Sequence, residues 1–491
     1  MNPYQHLLYC RQFILCEKEI SDFQTWNIYT IDRFKLYVHP KLNVSTVKKD
    51  EKELYLLGDL YDYNYSTISN DGILERLIVS DSIHELTRKC ENYAGRFILI
   101  FRKNKSIKIF NDAAASRKIY YYLEGDTFCC ATQPHVIAKY FNLRRSQKTE
   151  VLEFYQSQEF YAHNKVGIMN KTIYDPIKLL QANYYIDINH REIKRFWPHQ
   201  KLQTISFNEG IEKASSTLKG LMKNIHFRNK IMMAITGGND SRLLLSASRE
   251  IADDIFLYIF HLPGMKNCSH PDLAIHKKIT AMIGNKGHIV DYNTEIDNDF
   301  KEIFFKNNEF PEEANLPIIY NFMYKKCSDK LNVATTLNDM TRCFFNTFRK
   351  KIDAKLLAII NGYQGIQYVI EEYRKWLIKT KPVLDNYGYN ILDIFKQEER
   401  ISNWSAYYVS DSDIAIDEVS PFTCRKLFEI ILSVPRKYRD INTNTFNRAM
   451  INKMWPEIGK LPYNPFLKNK ICYTMKKTHV YWPVRRVIKG W

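Results

Sequence analysis

Residues 36–38, 54–57, 97–101, 107–110, 119–123 and 128–131 are short apolar or alternating runs separated by Gly, Asn, Asp and Lys. Period-two alternation between turn formers predicts an antiparallel sheet system. Residues 72–79 and 83–90 carry helical spacing between these runs, so the first part of the chain reads as α+β. Residues 179–186 read as a last strand pair, and Arg195-Phe196-Trp197-Pro198-His199 closes it with a proline. From Phe207 the period changes. Ile211, Ala214, Leu218, Leu221, Met222 and Ile225 fall at three- and four-residue steps, the stripe of a core-facing helix. Strand-like 255–260, 288–292 and 331–334 then alternate with a helix over 272–283 and Gly284 near its end, which predicts a parallel sheet with helices on both faces. Residues 344–405 read as helical, aromatic and charged, a cover over an acceptor cleft.

The chemistry concentrates where the second pattern begins. Met232-Met233-Ala234-Ile235 is a buried-strand run, Thr236-Gly237-Gly238-Asn239 a tight turn, and Asp240-Ser241 the mouth of a helix continuing through Leu243 to Ser248. A strand, glycine loop and helix start together form an anion site, because loop N–H groups and the helix's partial positive charge converge on one spot. A phosphate fits that spot. Phe260-His261 ends the neighbouring strand, at the sheet edge where ligands bind, and is either an adenine contact or a plain strand end. A generic glycine turn is the alternative for the loop itself, but such a turn needs neither the hydroxyl nor the carboxylate.

Thr236-Gly237-Gly238-Asn239-Asp240-Ser241 resembles the pyrophosphate loop of the ATP pyrophosphatases, and the Arg242-Leu243-Leu244-Leu245 continuation resembles their asparagine-synthetase-like branch. The resemblance extends into the first half. Leu57-Gly58-Asp59-Leu60-Tyr61-Asp62, Tyr93-Ala94-Gly95-Arg96-Phe97 and Asn111-Asp112 through Tyr120-Tyr121 are similar, in order and spacing, to phrases of a class II glutamine amidotransferase domain. The fold this implies is an α+β N-terminal nucleophile-type sandwich over residues 1–200. It is followed over 201–491 by an α/β parallel-sheet synthetase domain of ATP pyrophosphatase type, with extra helices.

The same resemblance implies ATP and Mg2+ as cofactors. Thr236, Gly237, Gly238, Asn239, Asp240, Ser241 and Phe260 would contact ATP or pyrophosphate, with Asp240 and Ser241 catalytic. Asp240 and Asp339 would be the metal ligands; relatives carry Ser-Gly-x-Gly-Ser-Asp at the second loop, and this chain has Thr335-Thr336-Leu337-Asn338-Asp339. Both glycines are gone, and Asp339 is either a metal ligand or a plain loop aspartate. Pro271-Asp272 is similar to the family's helix opening, or Asp272 is an N-cap. The resemblance resumes at Asp417-Glu418-Val419-Ser420-Pro421-Phe422, and Lys468 is the candidate catalytic lysine.

The glutaminase chemistry of the first domain is absent from its expected places. The family's nucleophile is a cysteine directly after Met1, where this chain has Asn2, and Leu57 stands where the family binds the glutamine amide. The resemblance therefore implies an ATP-dependent amide-forming ligase that activates a carboxylate as an acyl-adenylate and uses free ammonia or an amino group on a second substrate. A tRNA-modifying adenylating enzyme of the same loop superfamily and a catalytically reduced scaffold are the alternatives.

Composition adds partners and location. The 491 residues carry a formal net charge of +17 with 45% hydrophobic and 14% aromatic residues, a globular balance that favours polyanionic partners. No separate nucleic-acid-binding module is legible. Apolar runs fall short of the roughly 18 residues a membrane span needs, and the start lacks signal-peptide order, so a cytoplasmic location is expected. The ten cysteines show no repeated CxxC spacing, which predicts reduced thiols. Residues 467–491 hold Lys468, Lys470, Lys476, Lys477, Arg485, Arg486 and Lys489 among Tyr473, Tyr481, Trp482 and Trp491. That tail either meets an anionic inner membrane face, where an acidic surface glycan is the acceptor, or packs its aromatics on the synthetase domain.

Overall fold

The computed structural model describes residues 2–262, 270–345, 351–441 and 443–463. Lys468 and the tail from 467 lie outside the described residues.

Twelve strands build the first half: β1 Phe13–Cys16, β2 Asn27–Ile31, β3 Phe34–Val38, β4 Val44–Lys49, β5 Lys52–Asp62, β6 Tyr93–Lys103, β7 Ser106–Asn111, β8 Tyr120–Glu124, β9 Thr127–Ala131, β10 Ile177–Leu179, β11 Tyr184–Asp187 and β12 Glu192–Arg195. They form two six-stranded sheets, ordered β10-β8-β9-β1-β3-β2 and β12-β11-β7-β6-β5-β4, with antiparallel pairing throughout. Side chains alternate between faces. Phe13 and Leu15 from one sheet meet Tyr55, Leu57, Ile98 and Ile100 from the other in a core between them. Their sequence neighbours Ile14, Leu54, Leu56, Phe97 and Leu99 turn outward, into a core shared with the helices Asn70–Leu77 and Ile83–Cys90. Those helices start where the serines Ser69 and Ser82 accept the N–H of Gly72 and Glu85. The sandwich expected from the sequence is present. The expected last strand pair is not, because β10 joins β8 in one sheet while β11 pairs with β7 and β12 in the other.

The helix Phe207–Arg228 follows, with its predicted apolar stripe buried. It leads into a five-stranded parallel sheet, β13 Ile231–Ala234, β14 Phe256–His261, β15 His288–Asp291, β16 Leu331–Val333 and β17 Glu418–Val419, in the order β15-β14-β13-β16-β17. Both faces are covered. Ile231 and Met233 enter one core, whereas Met232, with Tyr258 of β14, enters another made with Phe300, Ile303 and Phe304. The strand order reverses between β13 and β16, the place where open parallel sheets hold ligands at their carboxyl ends.

Residues 2–10 depart from the sandwich. Leu7 and Cys10 belong to the core of Met232 and Phe300, the Asn2 side chain donates to the Asp299 carbonyl, and Tyr9 N–H donates to Asn307 Oδ1 at 2.6 Å. The N-terminus is thus sewn onto the helix Asn298–Asn307 of the parallel-sheet unit. No helix of the described residues is long and apolar enough to cross a membrane, and the eight described cysteines are free and buried.

Candidate functional site

The loop after β13 is closed by its own side chains. Ser241 Oγ accepts from Thr236 N–H at 3.1 Å and lies 3.1 Å from Thr236 Oγ1, which in turn accepts from Gly238 N–H at 3.3 Å. Gly237 N–H donates to Asp272 Oδ1 at 2.8 Å. Asp272 is therefore a strut crossing to the loop; the N-cap of the helix Pro271–Ile283 is His270, whose ring accepts from Asp272 N–H. Arg242, fully buried, donates to the Gly237 carbonyl and to the carbonyls of Leu461 and Pro462, tying the back of the loop to the C-terminal part of the described chain. The helix Asn239–Ala247 starts at Gly238 without a side-chain cap, which leaves its positive end to a ligand.

The second loop comes from β16. Leu337 takes a left-handed φ of +69° and begins the short turn Asn338–Thr341. A glycine would adopt this conformation freely, whereas a leucine costs about 1 kcal/mol there. The loop therefore makes its left-handed turn without a glycine. Ser420 Oγ donates to the Thr336 carbonyl at 2.5 Å and Arg439 to the Met340 carbonyl at 3.1 Å, holding the turn from both sides.

The two loops bring Asp240 and Asp339 together, with two residues that the sequence reading did not name, Arg342 and Lys396. One terminal nitrogen of Arg342 donates to Asp240 Oδ2 at 2.6 Å and to Asp339 Oδ1 at 2.5 Å. Lys396 Nζ lies 2.8 Å from Asp339 Oδ2 and over the Phe344 ring, its side chain only 2% exposed. Charges alternate along Asp240, Arg342, Asp339 and Lys396. Burial pushes the Asp240 carboxyl up from its ordinary range, against Arg342. Burial acts the same way on Asp339, but Lys396 and Arg342 outweigh it and hold that carboxyl at about 2. Burial lowers Lys396 to about 8, opposed by Asp339.

Several polar atoms here are sealed from solvent and lack a hydrogen-bond partner: Asn239 Oδ1, Asp240 Oδ1, Arg342 Nε and both side-chain ends of Asn338. Burying such groups unpaired costs about 1–3 kcal/mol each, so their concentration at two adjacent strand ends marks a place built for a polar ligand. Three of these atoms are acceptors; the two N–H donors, Arg342 Nε and the Asn338 amide nitrogen, and the nearby Lys396 ammonium are the groups that fit a nucleotide polyphosphate. The carboxylates fit a magnesium ion less well: Arg342 already stands between them, and no group of three or more His, Cys, Asp or Glu capable of holding a metal occurs among the described residues. Phe260 is the last residue but one of β14, its ring packed on Tyr258 and Phe322. A cavity of about 770 Å³ opens at the opposite, amino-terminal ends of the strands, lined by His226, Lys230, His288 and Lys330.

The stretch that resembles the family's amide-binding segment is packed in protein. Leu57 points into the inter-sheet core. Gly58 has φ +99°, and a Cβ there would sit 2.2 Å from the Arg96 carbonyl oxygen and 3.3 Å from Arg117 Nε, so only glycine fits. Cys10 is fully buried, and burial pushes its thiol up to about 11 against the pull of Arg11 and Lys41.

No protein-family model matches this chain, and no curated protein does. Among solved structures it is similar to glutamine phosphoribosylpyrophosphate (PRPP) amidotransferase from B. subtilis complexed with ADP and GMP, at 10% identity and a TM-score of 0.24, over 64% of this chain and 90% of that one. A structure of the allosteric regulatory enzyme of purine biosynthesis is similar at 11% identity and a TM-score of 0.24, covering 74% of each chain. Likeness this slight leaves the fold to be read from the strand topology above.

Proposed function

We propose that this chain is an ATP-dependent, AMP-forming amide ligase that activates a carboxylate without a glutaminase of its own. The observation that supports it best is the charged, partly unpaired cluster of Asp240, Asp339, Arg342 and Lys396 at the carboxyl ends of β13 and β16, next to a loop whose sequence resembles a pyrophosphate loop. A substrate carboxylate oxygen attacks the α-phosphorus of ATP, the bond to the bridging oxygen of the β-phosphate breaks, and pyrophosphate leaves. Ammonia or an amine then attacks the acyl carbon, losing a proton, and AMP departs with the bonding pair.

In this scheme the uncapped helix start at Asn239 and the cations Arg342 and Lys396 stabilise the charge that develops on pyrophosphate. Fixed donors aimed at developing charge are the largest single contribution in such transfers. Asp240 and Asp339 hold those cations in place. The buried Cys10 and the filled position at Gly58 support an external nitrogen source. The net charge of +17 supports an acidic acceptor, a small acid or a surface glycan near an anionic membrane.

A second reading, a scaffold that keeps the fold without turnover, is favoured by the internal bonds that occupy Thr236 N–H and Gly237 N–H. One experiment separates the two. The full chain is incubated with ATP, hydroxylamine as the amine and a panel of carboxylic and uronic acids, and pyrophosphate is measured. Carboxylate-dependent pyrophosphate that disappears in Asp240→Ala supports the ligase. Absence of both ATP binding and pyrophosphate across the panel supports the scaffold.

A further inference from the structure

The seat between the two acidic loops already holds a cation. Asp240 and Asp339 approach the same nitrogen of Arg342 from opposite sides, at 2.6 and 2.5 Å, the position a divalent ion would need in order to bridge them. Lys396 takes the remaining oxygen of Asp339. Two carboxylates, one guanidinium and one ammonium make a neutral set. A divalent ion entering it would have to expel the guanidinium and then sit beside two positive side chains with two protein carboxylates as its only acidic ligands.

Arg342 also has a donor to spare. Its Nε is buried and without a hydrogen-bond partner, although a guanidinium has five N–H donors in a planar fork suited to phosphate oxygens. The neighbouring Asn338 is wholly buried, with both ends of its amide unpaired. Arg342 Nε and the Asn338 amide nitrogen are thus donors left over after the ion pairs are made.

Resting on the reading of this loop as a nucleotide site, we propose that Arg342 is a built-in replacement for the bridging metal. The aspartates seat the guanidinium instead of a divalent ion, and Arg342 with Lys396 makes the cationic contact to the polyphosphate. A fixed guanidinium offers directed hydrogen bonds where a metal offers exchangeable coordination, so the site is specific for the phosphate chain without recruiting an ion of its own. Divalent ions then reach the site only as passengers on the nucleotide.

Two measurements on the full chain test this. In the first, Mn2+ is titrated without nucleotide and the free ion followed by electron paramagnetic resonance. The wild type is expected to bind no Mn2+ tighter than millimolar, and Arg342→Ala to gain a site at least tenfold tighter as the aspartates are released. Tight Mn2+ binding by the wild type overturns the proposal, whatever the variant does. In the second, ATP binding is measured by calorimetry in EDTA and in Mg2+. Wild-type affinity should differ less than tenfold between the two, and Arg342→Ala should lose at least tenfold in EDTA, with Arg342→Lys recovering part of it. A wild type that binds ATP only with Mg2+ overturns the proposal. A wild type that binds ATP under neither condition overturns the nucleotide reading, while the Mn2+ titration still decides whether the seat belongs to Arg342.

Discussion

Two clusters of alternating charge lie at opposite ends of the parallel sheet's later strands, and they differ in what remains unpaired. The first joins the sandwich to the start of β17. Arg96 donates to both oxygens of Asp413 and to Asp417 Oδ1, Arg117 donates to Asp417 Oδ2 at 2.7 Å, and Arg11 donates to the Asp413 carbonyl. Arg96 and Asp413 side chains are each 4% exposed. Apart from Arg117 Nε, every side-chain nitrogen and oxygen of Arg96, Arg117, Asp413 and Asp417 that is sealed from solvent has a partner. The second cluster, at the ends of β13 and β16, keeps Asp240 and Asp339 side chains 29% and 37% exposed and leaves polar atoms of Asn239, Asp240, Asn338 and Arg342 unpaired. Alternating charge by itself is therefore no sign of function. A closed network fixes two units together, whereas an open-mouthed one with donors left over has something still to bind.

The sharpest way to break this comparison is to remove one cation from each cluster and read activity. Lys396→Met keeps the length and apolar stem of the side chain and deletes the ammonium beside Asp339. Loss of a group aimed at developing charge typically costs 100-fold or more, so pyrophosphate release is expected to fall by about that factor with the melting temperature little changed. Equal activity in Lys396→Met and wild type would place Lys396 with the structural cluster.

Next in size is the stability of the closed network. Asp417→Asn weakens ion pairs to the buried Arg96 and Arg117 from a carboxylate whose side chain is 24% exposed, which costs less than the ~3–5 kcal/mol of a fully buried pair, and should lower the melting temperature without lowering turnover at a permissive temperature. The pH dependence follows from the same contacts. Burial pushes the Asp417 carboxyl up, but Arg117 and Arg96 outweigh it and hold the group well below the usual carboxylate range. A depressed folded-state value stabilises fully above the unfolded value of about 3.9 and is lost as pH falls toward the folded one. Wild-type stability should therefore drop more steeply below about pH 4 than that of Asp417→Asn, measured by chemical denaturation; parallel curves would remove Asp417 from the lock.

The contrast also explains what could be read from the sequence. The apolar stretches 54–57 and 97–101 within β5 and β6, and the helix Phe207–Arg228, were legible because local hydrophobic pattern decides each of them, although the strands run further than those stretches. β4 was missed because an edge strand with a largely exposed Val-Ser-Thr-Val-Lys-Lys run has no apolar face to announce it. β17, two residues long, has no period at all. Asp240 and Ser241 were visible within one motif, but Ser241 turned out to brace the loop through Thr236. Arg342 and Lys396 were not visible as site residues. Lys396 opens the π-helical segment Lys396–Ser405, inside a charged helical stretch, and meets Asp339 across 57 positions of sequence. That pairing is tertiary. What signal there was lay in Arg342, three residues after Asp339, in a loop with no glycine from Thr335 to Arg342.

The smallest expected effect is at Cys10, and it sharpens the comparison from the side of the sandwich. If the first half still hydrolysed glutamine, its nucleophile would have to be exposed at a chain end, with an amine beside it as the base. Cys10 instead lies with no exposed surface in the core of Met232 and Phe300. Burial drives its thiol up to about 11, so little thiolate exists at neutral pH. The residues ahead of it are stitched to the helix Asn298–Asn307 through Asn2 and Tyr9. Cys10→Ser is therefore expected to leave ammonia-dependent pyrophosphate release within about twofold of wild type, since surface and core changes away from a site act on stability before turnover. Glutamate formation from glutamine should be undetectable in both proteins. Glutamate that forms in the wild type and vanishes in Cys10→Ser would mean that the N-terminal segment opens, and that the closed half of the molecule is closed only at rest.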